Sequence, residues 1–227
     1  MIITNKFVLL HLHKSGGTYL NRMIMNCIPY AKQIGYHLPY SALPPGFNRL
    51  NVLGTVRNPW AYYVSWYHFQ YQMTHPNPLF MLMSQNGTLG FEQTITNLLQ
   101  IRSNQSVLKL FCEKLPVDFQ NHGINLTKSC LSLMEEGIGF YSFLYRRLYQ
   151  GVSDPIIIKT EDFNDTLFSA FKDLKVQNLD KIASYLNHQR PINTSEHLPY
   201  QHYYSTKLKT LVSQFDAELI NKYRYHY

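Results

Sequence analysis

The sequence has little in it that would staple or anchor a chain. Three cysteines, Cys27, Cys112 and Cys130, are spread over 227 residues without a C-x-x-C pair, which excludes a disulfide framework and offers no zinc-binding spacing. No apolar run approaches the roughly 18 to 20 residues needed to cross a bilayer. The first dozen residues lack the basic start and long apolar stretch of a secretory signal, so the expectation is a cytoplasmic protein with no transmembrane segment. Acid is scarce too, with 14 Asp and Glu against 21 Lys and Arg and a formal net charge of +7. No carboxylate cluster suggests a Mg²⁺ site, and the surplus of positive charge favours an anionic partner. The basic residues form no stripe interleaved with aromatics, and no zinc-finger or RNA-recognition pattern occurs, so a small anionic ligand is preferred to nucleic acid. The ATP-type loop G-x-x-x-x-G-K-[ST] is also missing.

What is present is a 45% apolar chain, long enough for one α/β domain over residues 1–227 with a sizeable core. Phe7 to Leu12, Asn51 to Val56 and Ile156 to Lys159 read as buried strands, with a further short strand around Gln33 to Tyr36. Helices are expected from Thr18 to Cys27, from Pro59 to about Gln72, near Asp165 to Leu174, near Leu179 to Leu186, and from about Ser205 to Tyr223. Residues from about 73 to 151 read as a mainly helical insertion. Strands alternating with helices predict a three-layer architecture, a parallel sheet flanked by helices, with ligands at the carboxyl ends of the strands.

Three segments carry chemistry. The first, His13-Lys14-Ser15-Gly16-Gly17-Thr18-Tyr19, follows the first strand and opens a helix. Its glycine pair lets backbone N–H groups close on an anion, its lysine supplies charge, and the helix N-terminus favours negative charge. In the second, Arg57-Asn58-Pro59 follows a strand end and Ser65 lies about two turns into the next helix; a guanidinium fork and a hydroxyl are apt phosphate donors. The third, Tyr36-His37-Leu38-Pro39-Tyr40, places a histidine in a Pro-containing turn, where it can take a proton from an alcohol.

In this order and spacing the segments resemble the sulfotransferases that use 3′-phosphoadenosine 5′-phosphosulfate (PAPS). Residues 13–18 look like that family's 5′-phosphosulfate loop. Arg57-Asn58-Pro59 with Ser65-Trp66-Tyr67-His68-Phe69 is similar to its 3′-phosphate motif, and His37-Leu38-Pro39 to the segment with the catalytic histidine. The close resemblance covers roughly residues 6 to 70. It implies a P-loop NTPase-like sulfotransferase fold, with PAPS as donor and its desulfated product, PAP, left behind. The acceptor implied is a hydroxylated small molecule or carbohydrate, with an amine as second choice.

The resemblance also implies roles. His37 is the base and Lys14 neutralises the leaving phosphate. Lys14, Ser15, Gly16, Gly17, Thr18 and Tyr19 hold the 5′ end, and Arg57 and Ser65 hold the 3′-phosphate. Arg190, in Arg190-Pro191-Ile192-Asn193, is a loose counterpart of the basic loop that covers the nucleotide in the family. Gly35 stands where the cytosolic enzymes usually carry a lysine. His13 and His68 are the next candidates for the base. No metal is called for. Two other readings stay open from sequence: a non-catalytic nucleotide-binding protein and a P-loop kinase-like phosphotransferase.

Overall fold

Thr4 sets the geometry at one side of the sheet. Its N–H donates to the Phe7 carbonyl at 3.0 Å, and its hydroxyl donates to the same carbonyl at 2.8 Å and accepts from the Phe7 N–H at 2.9 Å. So short a connection can join only antiparallel neighbours, and β1 (Ile2–Ile3) accordingly folds back on β2 (Phe7–His11).

The computed structural model describes residues 1–120, 124–131, 134–189 and 195–227. After β2 come α1 (Gly17–Cys27), β3 (Lys32–Gln33), β4 (Asn51–Val56), α2 (Pro59–Tyr71), α3 (Pro78–Met83), α4 (Phe91–Leu99), α5 (Gln105–Lys114), α6 (Lys128–Leu131) and α7 (Phe140–Tyr149). Next are β5 (Ile156–Lys159), α8 (Phe163–Asp173), α9 (Leu179–His188), α10 (Thr206–Phe215) and α11 (Ala217–Tyr223). The sheet order is β3-β1-β2-β4-β5, with β2, β4 and β5 parallel and β1 antiparallel to both its neighbours. The sheet is therefore mixed, not wholly parallel as the sequence pattern predicts. The difference lies in the short β1 and β3, whose two residues each are too few to show a period. Among the described residues no helix is long and apolar enough to cross a membrane.

The described residues form two compact units, one from those within 1–57, 124–125 and 147–189, the other from those within 58–120, 126–131, 134–146 and 195–227. In the first, alternate strand residues Phe7 and Leu9, with Leu53 and Ile158, pack against Leu20, Met23 and Ile24 of α1, Leu167 and Phe171 of α8, and Ile182 of α9. On the other face the Tyr149 hydroxyl lies 3.1 Å from the Leu10 carbonyl and accepts from the Thr55 N–H at 3.0 Å. The missing Cβ of Gly54 makes room for it, since a methyl there would come within 2.2 Å of that oxygen.

The second unit is helical. Asn58 caps α2 by accepting from the N–H groups of Trp60 and Ala61, and Pro59 occupies the first turn, where its lack of an N–H costs nothing. The single helix expected over Ser205 to Tyr223 is instead two, broken at Asp216. Its buried carboxylate accepts from the Tyr63 hydroxyl at 2.7 Å and from the Ser142 N–H and hydroxyl at 2.9 and 2.7 Å. Burial lifts that carboxyl to about 6 despite these bonds.

Tyr149→Phe is expected to lower unfolding stability by about 1–3 kcal/mol, because it leaves a buried strand N–H without its acceptor. Denaturant unfolding checks this; an unchanged midpoint would contradict it.

Candidate functional site

β2 and β4 run parallel in register, with His11 opposite Thr55, so their carboxyl ends open side by side. One strand continues into residues 12–16 and the other into Arg57. The Thr55 hydroxyl accepts from the Leu12 N–H at 3.2 Å and lies 3.2 Å from the Ser15 hydroxyl, which donates to the Leu12 carbonyl at 2.5 Å. Ser15 is fully buried, and its hydroxyl is engaged within the loop.

The glycines do different work. Gly16 is left-handed at φ 75° and caps α1, while Gly17 leaves space for the His11 ring, which a Cβ there would meet at 2.1 Å. Gly17, Thr18 and Tyr19 form the first turn of α1, where backbone N–H groups have no helical acceptor and the macrodipole is positive. No acidic side chain offsets that end. The Tyr19 hydroxyl donates to the Gln189 carbonyl at 3.0 Å, and its ring lies 5.8 Å from Phe163 and 6.0 Å from Tyr185.

Arg57 and Lys14 come together at the strand ends, where the guanidinium donates to the Lys14 carbonyl at 3.4 Å. Burial, and then the nearby guanidinium, lower the Lys14 ammonium to about 8. A lysine so placed gains from the arrival of an anion.

His37 joins them. It is left-handed at φ 48°, and its Nδ1 lies 3.1 Å from the His11 carbonyl. A carbonyl accepts only, so Nδ1 carries the proton and Nε2 keeps its lone pair. The ring meets those of His11 and His13 edge-on at 4.4 and 5.4 Å. Burial lowers His37 to about 4, and burial followed by the neighbouring His37 lowers both His11 and His13 well below their ordinary value. All three are therefore neutral at neutral pH. Although three imidazoles converge, no group of three His, Cys, Asp or Glu among the described residues could hold a metal ion.

The first unit thus brings together Lys14, Ser15, Gly16, Gly17, Thr18, Tyr19, His37 and Arg57. Ser65 is buried on α2 in the second unit, where its carbonyl accepts from the Ser195 hydroxyl at 3.4 Å. His68 is also on α2, with its ring 4.8 Å from Tyr203 and 5.5 Å from His197. Arg190 lies outside the described residues. The donor set in the first unit, two cations and a helix N-terminus, fits a phosphorylated anion, and the buried His13 Nδ1 has no hydrogen-bond partner. Sequence reasoning missed Thr55, whose role depends on strand register. It also missed Arg147, which donates to the His37 carbonyl from 110 residues away.

The family model described as "Sulfotransferase domain" matches residues 7–121, a span that contains every one of these strand-end residues. No curated protein and no solved structure matches the chain.

An unfolded histidine titrates near 6.5, whereas folded His37 is held at about 4. Between those values the unfolded chain binds a proton that the folded one refuses, so stability is whole above about 6.5 and is lost as pH falls toward 4. His37→Gln is expected to flatten this part of the stability curve. An unchanged slope across that range would show that His37 is not held neutral.

Proposed function

The chain belongs to the sulfotransferase domain family, and within it we propose that the protein carries a sulfuryl group from PAPS to a hydroxyl of a small-molecule or carbohydrate acceptor, with an amine as second choice. The observation that carries this reading is the tautomer of His37: with Nδ1–H directed at the His11 carbonyl, Nε2 is a free lone pair on a neutral ring. A base of that kind removes the proton from an attacking hydroxyl, a contribution worth roughly 10²–10⁴-fold in rate.

When bound, PAPS supplies the transferable sulfuryl group and a phosphate leaving group. Lys14 places positive charge where a leaving phosphate gathers negative charge. The first-turn N–H groups of Gly17, Thr18 and Tyr19, with the Thr18 hydroxyl, orient the 5′ end, and Gly16 keeps the backbone turned toward it. Ser15 supports them from beneath by holding the loop on Leu12 and Thr55. Arg57 is assigned to the 3′-phosphate, and Ser65 and Arg190 share that assignment by resemblance. Cys27 and Cys112 are free thiols, and a cytoplasmic setting is part of the same proposal.

The test is transfer of label from sulfur-labelled PAPS to a panel of phenols, alcohols, sugars and amines, run with the native protein and His37→Ala. The expected result is a labelled acceptor for the native protein, and turnover lower by roughly 10²–10⁴-fold in the variant with PAP affinity retained. Full activity in His37→Ala would remove it as the base. Tight PAP binding without transfer to any acceptor would identify a binding protein, and Mg²⁺-dependent ATP turnover a phosphotransferase.

A further inference from the structure

We propose that Arg147 is a positioning residue for His37 and that it acts with Asn125 on the two backbone carbonyls that frame this histidine. The inference rests on reading His37 as the base. A non-glycine residue at φ 48° sits in a sparsely populated region and stays there only where its surroundings impose it. The surroundings here are specific. The Tyr36 carbonyl accepts from the Asn125 side-chain amide at 3.0 Å, and the His37 carbonyl accepts from Arg147 Nη2 at 3.3 Å.

The same guanidinium nitrogen donates to the Ile124 carbonyl at 3.2 Å. One planar group therefore ties the end of α7 to the His37 turn and to the segment that carries Asn125. Asn125 is itself buried and left-handed at φ 51°, so the clamp has a shaped partner on each side. On the far side of the turn, the His37 ring is fixed by Nδ1 on the His11 carbonyl. With backbone and ring both held, Nε2 has a defined direction.

Arg147 is only 7% exposed, which is unusual for a guanidinium that merely decorates a surface. Its charge has a second consequence. The titratable and charged groups facing His37 are His11, His13, Tyr36, the amino terminus of Met1 and Arg147. Burial opposes protonation of the imidazole most, and the amino terminus and then the buried guanidinium add to it. The geometry thus joins orientation and protonation state in one residue. Lysine reproduces it only in part, because its ammonium keeps the charge on a flexible stem without the fixed direction that a planar guanidinium gives the donating nitrogen.

Three variants, Arg147→Met, Arg147→Lys and Asn125→Ala, are compared in labelled-PAPS turnover, in PAP binding, and in an NMR titration of the ring-labelled His37 imidazole. Arg147→Met is expected to lower kcat by at least about tenfold, leave PAP affinity within about twofold, and move the His37 titration upward. Arg147→Lys is expected to keep the titration low while recovering only part of kcat. Asn125→Ala is expected to lower kcat severalfold without weakening PAP binding, and with Arg147→Lys it carries the test if Arg147→Met does not fold. Unchanged kcat together with an unmoved His37 titration in these variants would overturn the proposal. If His37→Ala proves fully active while Arg147→Met still moves the His37 titration, the base assignment fails and the positioning role stands.

Discussion

His11 is the point where strand, loop and histidine turn depend on one another. As the last residue of β2 it is registered against Thr55, whose hydroxyl holds the start of the loop. Its ring fills the space that Gly17 leaves open at the head of α1, and its carbonyl sets the tautomer of His37. Moving this backbone would disturb the helix N-terminus and the imidazole together. The parallel pairing of β2 with β4 is therefore a constraint on the chemistry as well as on the fold.

The electrostatics follow from that packing. Three imidazoles, His11 buried and His13 and His37 half-buried, lie close together and are kept neutral, and Lys14 is held at about 8 by burial beside Arg57. Lys14 and Arg57 stand near one another at the strand ends, and positive charge gathered in this way suits an anion. Neutral histidines do not add to the repulsion, and one of them presents a lone pair.

Much of this was legible in the sequence. The strands Asn51–Val56 and Ile156–Lys159 and the helices that follow the loops were read close to their observed limits, because apolar runs and turn residues mark both. The strand-end cluster of Lys14, Arg57 and His37 was legible as well, since each residue sits beside such a mark. Short, locally determined features were less so: β1 has two residues, and its direction comes from the Thr4 turn.

Contacts distant in sequence left no local signal. Arg146 and Arg147 are neighbours in sequence with nothing local to tell them apart, yet Arg146 meets Glu135 and Glu218 in partly exposed ion pairs while Arg147 donates to the His37 carbonyl. Likewise, nothing in the apolar spacing of residues 205–223 announces a break at Asp216. The break follows a buried carboxylate that needs Tyr63 and Ser142. Periodicity records which face of a helix is apolar, and it is silent on which polar residue will find a partner far along the chain.

At pH 8 the Lys14 ammonium, lowered to about 8 by burial and then by Arg57, is close to half charged, and an anion arriving beside it would favour the charged form. Calorimetric titration of PAP into the protein at pH 8, repeated in buffers of different ionisation enthalpy, measures the protons taken up on binding. With Lys14 held at about 8 in the free protein, the account requires uptake of up to ~half a proton per PAP bound, and loss of that uptake in Lys14→Met. Binding with no proton uptake, or with the same uptake in Lys14→Met, would contradict it.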